Sequence, residues 1–230
     1  SVPLAVSEKY GLWYDPMTDS YTKARLTGNE LFVNLKSGES RILVCSDNED
    51  IYPEGVVEEN VSDVLEEIDL TANKWTLSFI DEQPKVGTTY KLDSLQTWET
   101  LGDSAAVTMG TGVYETIVKL SRDAACGNWS IDLGDVRESA RVYINNVYVG
   151  CAWAVPFVLD CKNVFKKGKN IIRIEVTNLP ANRIADLDRK GVKWRKMKEI
   201  NVVDINYKRT TYENWKPVPS GISKVRLVKN

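Results

Sequence analysis

Runs of alternating apolar and polar side chains within residues 129–178 limit this chain more than any other feature. Trp129, Ile131 and Leu133 alternate with Ser130 and Asp132, Val142 and Ile144 with Arg141 and Tyr143, and Ile172, Ile174 and Val176 with Arg173 and Glu175. Successive strand side chains point to opposite faces of a sheet, so each run describes a strand with one face in a core and one in water. Asn145-Asn146 separates two such runs. Asn tolerates the positive φ needed at both central positions of a tight primed turn, so residues 141–149 read as a hairpin. The expected fold is all-β, with an antiparallel sheet at its centre.

The rest of the chain fits the same class. Residues 11–46 place short apolar runs between turn signals at Asp15-Pro16, Gly28-Asn29 and Ser37-Gly38, as a separate small β unit would. Residues 47–73 are ambiguous. Val57, Val61, Val64, Leu65 and Ile68 keep helical spacing, while the alternative is a linker followed by an extended segment that enters the next domain. From Lys74 the larger domain begins: Trp75, Leu77 and Phe79 alternate with Thr76 and Ser78, Tyr114 to Leu120 returns as a strand, and Ile222 to Val228 closes the sheet. The expected organisation is 1–50 small β-sandwich unit, 51–73 linker or strand lead-in, and 74–230 main β domain. Between Val176 and Ile222 lies a long excursion, residues 178–214, rich in Lys and Arg. Loops of this length are uncommon unless functional or packed on themselves.

In their wording, LGDVRESARVYINNVYVG, then PFVLD, then FKKGKNIIRIEVTN resemble the galactose-binding-like jelly roll that serves as the sugar-binding module in family 2 and family 106 glycoside hydrolases. Asn146 stands where that family usually has the Gly of its Asn-Gly hairpin. The segments VTNLPANRIADLD (176–188) and PSGISKVRL (219–227) are similar to the C-terminal region of family 106 α-L-rhamnosidases, and WTLSFI, LQTWETL and GTGVYETIVKL fit the same region in order. The Trp13-Tyr14-Asp15-Pro16 turn and Gly38-Glu39-Ser40 resemble the small β-sandwich behind the catalytic barrel of those enzymes. The resemblance implies a galactose-binding-like β-sandwich preceded by a small β-sandwich unit, with the catalytic part upstream of this chain.

Composition narrows the chemistry. With 30 basic against 32 acidic residues, no field suited to nucleic acid or an anionic membrane arises, and a neutral ligand such as carbohydrate is favoured. No apolar run reaches transmembrane length and no leader pattern opens the chain, so an excised or processed piece is expected. The absence of His removes Ser-His-Asp and Cys-His nucleophiles and any His-containing zinc site. Cys45, Cys126, Cys151 and Cys161 lie in or beside apolar runs and read as buried thiols, with a Cys151 to Cys161 bridge left open.

Carbohydrate recognition needs an aromatic platform and planar polar groups for paired hydrogen bonds. Trp13, Trp75 and Trp129 are in phase with strand cores, whereas Trp98, Trp153, Trp194 and Trp215 fall at strand ends or loops. The candidate carbohydrate-binding residues are Trp153, Trp194, Asn178, Asn182, Arg183 and Asp186. For the last four the alternative is a scaffold in which loop Asx side chains bond backbone first. The basic run at residues 189–198 reads as a solvated loop or a contact with acidic polysaccharide. Asp186 and Asp188 are near neighbours, but glycoside hydrolysis needs carboxylates on opposite sides of the sugar bond. The expectation is a non-catalytic accessory or carbohydrate-binding portion of a glycoside hydrolase acting on rhamnose-containing, pectin-like plant polysaccharide. Its partners would be carbohydrate and the upstream catalytic domain, with no cofactor required beyond an optional structural calcium. Such a protein is expected to be exported to the periplasm or cell surface of a bacterium. A free-standing carbohydrate-binding protein and a purely structural sandwich remain as alternatives.

Overall fold

A computed structural model describes residues 1–3, 7–59, 64–196, 205–206, 208 and 210–229. The chain forms two compact units, Ser1–Asp63 and Val64–Asn230. In the first, the strands Ile42–Ser46, Tyr10–Asp15, Ser20–Lys23 and Val57–Glu58 form one sheet in that order, and Val2–Pro3, Glu30–Leu31 and Leu26–Thr27 form a second. The turn read at Asp15-Pro16 is closed by the Asp15 carboxylate, which accepts from the Met17 amide at 2.8 Å. Gly28, at φ +61, turns the chain between Leu26–Thr27 and Glu30–Leu31. Trp13, Ala24 and Leu31 form its small core.

The larger unit is a β-sandwich. One sheet has six antiparallel strands in the order Tyr90–Leu92, Trp75–Gln83, Met109–Leu120, Gly168–Thr177, Ser139–Ile144 and Val147–Ala152. The facing sheet runs Val158–Cys161, Trp129–Asp132, Arg226–Lys229 and Glu66–Asp69. The alternating residues behave as read: Trp129, Ile131, Leu133, Val142, Ile144, Ile172, Ile174 and Val176 are all in the core. The hairpin turns at Asn145 and Asn146, with φ of 52° and 66°. Asn145 does more than turn: its amide donates to the Asn170 side chain at 2.8 Å and to the Val164 carbonyl at 2.9 Å, which ties the hairpin to the turn before the Gly168–Thr177 strand.

Between the units the sequence pattern misleads in part. The helical spacing at residues 57–68 does not produce a helix among the described residues; Val61 lies outside them. Instead Glu66–Asp69 is a strand, held at the sheet edge by pairing along Arg226–Lys229, so the division falls at Asp63 and Val64. All four cysteines are free. Cys161 is buried as expected, Cys45 and Cys151 are only half-buried, and Cys126 is exposed on the turn after the Arg122–Ala125 helix. Among the described residues no helix is long and apolar enough to cross a membrane.

The two sheets are closed by a buried lock around Trp98, which lies in a short helical turn and is fully buried. Trp98, which the sequence places among the tryptophans at strand ends or loops, is therefore a core residue. Its indole N–H donates to the Tyr114 hydroxyl at 2.7 Å, and its amide donates to the Ser220 carbonyl at 2.9 Å. Burial pushes the Tyr114 phenol well above its ordinary range, against the N–H groups of Ile222 and Trp98 that donate to it. Two glycines admit this ring. A Cβ on Gly112 would stand 2.6 Å from the Trp98 ring, and one on Gly221 would stand 2.3 Å from the Tyr114 oxygen and 2.5 Å from the Trp98 nitrogen. Gly221 also has φ +93, which explains why the Pro219-Ser220-Gly221 turn ends in glycine.

Gly221→Ala combines left-handed backbone with overpacking and is expected to cost about 3 kcal/mol or more of unfolding free energy in urea titration. Gly87→Ala is the control: it has φ +66 and open space around it, so it should cost only about 1 kcal/mol. Equal losses would contradict the lock. For the thiols, burial pushes Cys161 up to about 12, and the thiolate is the reactive form. Iodoacetamide at mildly alkaline pH should therefore label Cys126 first and Cys161 only on unfolding, as read by mass spectrometry. Comparable rates would show that Cys161 is accessible.

Candidate functional site

The excursion leaves the sheet at Asn178, where the end of the Gly168–Thr177 strand meets the lock. The Asn178 side chain accepts from the Gly110 amide at 3.0 Å and donates to the Thr108 carbonyl at 3.0 Å and the Ser220 hydroxyl at 3.1 Å. Its hydrogen-bonding groups all go to the protein itself. Two residues later the chain enters a helix, Ala181–Arg189, with Pro180 at its N-cap. The excursion is thus helical at its start, where Ala181, Ile184 and Ala185 keep helical spacing, a signal that reading the excursion as a loop passes over. The face that the helix buries carries Asn182, Ala185 and Asp186, two of them polar.

Each of these polar groups is committed. Asn182 clamps Val218, donating to its carbonyl at 2.8 Å and accepting from its amide at 2.9 Å, as a strand partner would. Asp186 accepts from Arg183 at 2.9 Å and from Lys190 at 2.8 Å. Asp188 accepts from the Trp194 indole at 2.6 Å and the Tyr212 amide at 2.8 Å. Arg189 donates to the carbonyls of Glu213 and Trp215, and Arg195 to that of Thr210. The Trp194, Tyr212 and Trp215 rings gather above these bonds, with Arg195 5.0 Å from the Trp194 ring. The basic run is consequently a strap fastened to the helix; Lys198 lies outside the described residues.

Asn178, Asn182, Arg183 and Asp186 are thus brought together along one helix and its approach, and Trp194 joins them through Asp188. Trp153 stands apart. It follows the Val147–Ala152 strand, is 63% exposed and is joined on the surface by exposed Val155. Ala152 stands opposite Ala140, which stands opposite Val176, so Trp153 and Asn178 share one end of the sheet about 10 Å apart. Among the described residues no three His, Cys, Asp or Glu side chains gather into a set that could hold a metal ion.

No family model matches the chain. In sequence it is 30% identical over 159 residues to a candidate β-glucuronidase of Formosa agariphila, which takes in 64% of this chain and 14% of that protein. In fold it is similar to part of a rhamnosidase from Novosphingobium sp. PP1Y, with a TM-score of 0.68 and 22% identity over 98% of this chain and 21% of that one. A β-glucuronidase from Bifidobacterium dentium, solved with coumarin-3-O-glucuronide, is similar at TM-score 0.50 and 15% identity over 74% of this chain and 31% of that one. The chain therefore spans 14% of the sequence relative and 21% of the rhamnosidase. It has a β-sandwich fold that glycoside hydrolases carry within longer polypeptides.

Asn182→Ala leaves two backbone groups of Val218 without their partner and is expected to cost about 2 kcal/mol in urea unfolding. Arg183→Ala should cost under about 1 kcal/mol, because Lys190 still pairs with Asp186. The reverse order would mean that the ion pair, rather than the amide clamp, holds the helix.

Proposed function

We propose that this chain is a non-catalytic accessory portion of a glycoside hydrolase acting on rhamnose-containing, pectin-like plant polysaccharide. Its part is to buttress the catalytic domain and supply a wall beside the substrate. The observation that carries this reading is the commitment of Asp186 and Asp188, the two neighbouring carboxylates on the excursion's helix. Glycoside hydrolysis requires one carboxyl group free to give a proton and another free to attack or to activate water. Asp186 is instead held by Arg183 and Lys190, and Asp188 by Trp194 and the Tyr212 amide. These are the bonds of a scaffold. The rhamnosidase and β-glucuronidase likenesses support the enzyme class, and a polysaccharide substrate suits export to the periplasm or cell surface of a bacterium.

The test is an assay of the purified chain against aryl α-L-rhamnoside, aryl β-glucuronide and pectic oligosaccharides. No turnover is expected, either alone or after Asp186→Asn or Asp188→Asn. Turnover by the folded chain that either substitution abolishes would overturn the accessory reading.

A further inference from the structure

The face of the six-stranded sheet that turns away from the core is organised as a continuous row. Reading the registers across the strands, Lys91 stands opposite Thr76, Thr76 opposite Glu115, Glu115 opposite Arg173, Arg173 opposite Tyr143, and Tyr143 opposite Tyr148. Five strand spacings give the row a length of about 24 Å. Beside it, on the middle strands, lies a groove of about 550 Å³ lined by Asn73, Lys74, Thr76, Glu115, Ile117 and Ile171. That volume falls within the range of small-molecule sites.

The chemistry of the lining selects its ligand. Ile117 and Ile171 face each other across adjacent strands and are 53% and 46% exposed, so they present an apolar floor to solvent. Around it stand a cation, Lys74, a carboxylate, Glu115, a hydroxyl, Thr76, and an amide, Asn73. Neither Lys74 nor Glu115 has an ion-pair partner among the described residues. An apolar ligand would strip water from both charges without replacing it. A simple anion would meet Glu115, and a simple cation Lys74. A ligand with C–H groups on its face and hydroxyls on its rim meets all of them, because a hydroxyl both donates and accepts. At the far end of the row the Tyr143 and Tyr148 rings lie 5.4 Å apart, with the Arg173 guanidinium 5.8 Å from the Tyr143 ring. Tyr148 is exposed and offers a second apolar face.

We propose that this outer sheet face, rather than the excursion, is the saccharide-binding surface of the chain. One sugar unit rests on Ile117 and Ile171 between Lys74 and Glu115, and the oligosaccharide continues along the row to Tyr148. The assignment rests on the accessory reading above and gives it a specific wall.

The experiment is isothermal titration of the full chain with a galactan oligomer, which is neutral, and a rhamnogalacturonan oligomer, with folding of every variant checked by circular dichroism. Lys74→Ala and Glu115→Ala should each weaken binding about tenfold, as expected for loss of a charge-assisted hydrogen bond. Tyr148→Ala should weaken the binding of long oligomers and spare a disaccharide. Two results overturn the proposal: no heat with either oligomer, or binding that stays within twofold of the parent in both Lys74→Ala and Glu115→Ala. The first leaves the accessory reading standing if turnover is also absent, so the two failures can be told apart.

Discussion

The hydrogen bond from the Trp98 indole to the Tyr114 hydroxyl is the contact on which the larger unit depends. It places two polar groups in the driest part of the molecule, where either alone would be costly and both together are satisfied. The other two fully buried tryptophans follow the same logic: Trp75 donates to the Leu70 carbonyl and Trp129 to that of Ala124. The Trp98 bond is set apart by what covers it: the Trp98 amide donates to Ser220, and Gly221 and Ile222 close over the pair, which brings the last turn of the chain onto it.

That geometry positions the polar excursion. Its start at Asn178 bonds Ser220, and Asn182 bonds Val218, so the segment leaves from and returns to the same small patch of sheet. Its described residues are held by these hydrogen bonds and by the packed Trp194, Tyr212 and Trp215 rings. The side chains that look most like a binding constellation in the sequence are those that hold it in place. The outer sheet face, by contrast, has exposed Ile117 and Ile171 beside Lys74 and Glu115, which form no ion pair among the described residues.

How much of this is legible in the sequence depends on period. The alternating runs and the Asn145-Asn146 turn declare the central strands and their hairpin, because every second residue is buried and the turn needs positive φ twice. The resemblance in the 176–188 and 219–227 segments points to a glycoside hydrolase fold, and the structural likeness agrees. The Ala181–Arg189 helix is legible in the spacing of Ala181, Ile184 and Ala185, but it is short and its buried face also uses Asn182 and Asp186 for hydrogen bonds, so it reads less plainly than the strands. Trp98 reads wrongly as a loop aromatic because its helical turn, Trp98–Thr100, is too short to show a clear period, although Leu95 and Leu101 flank it at a spacing of three. The Tyr90–Leu92 edge strand is too short to announce itself. The row from Lys91 to Tyr148 is invisible in the sequence, since it takes one residue from each of six strands and exists only once the registers are known.

Native-state hydrogen exchange at the Ile222 amide, compared with those of Val118 and Ile172 in the central strands, tests the lock most directly. If the Trp98 and Tyr114 contact closes the sandwich, all three amides exchange through global unfolding with one common opening free energy. An Ile222 amide that opens several kcal/mol more easily, while Val118 and Ile172 stay protected, would show that the sandwich holds together without it.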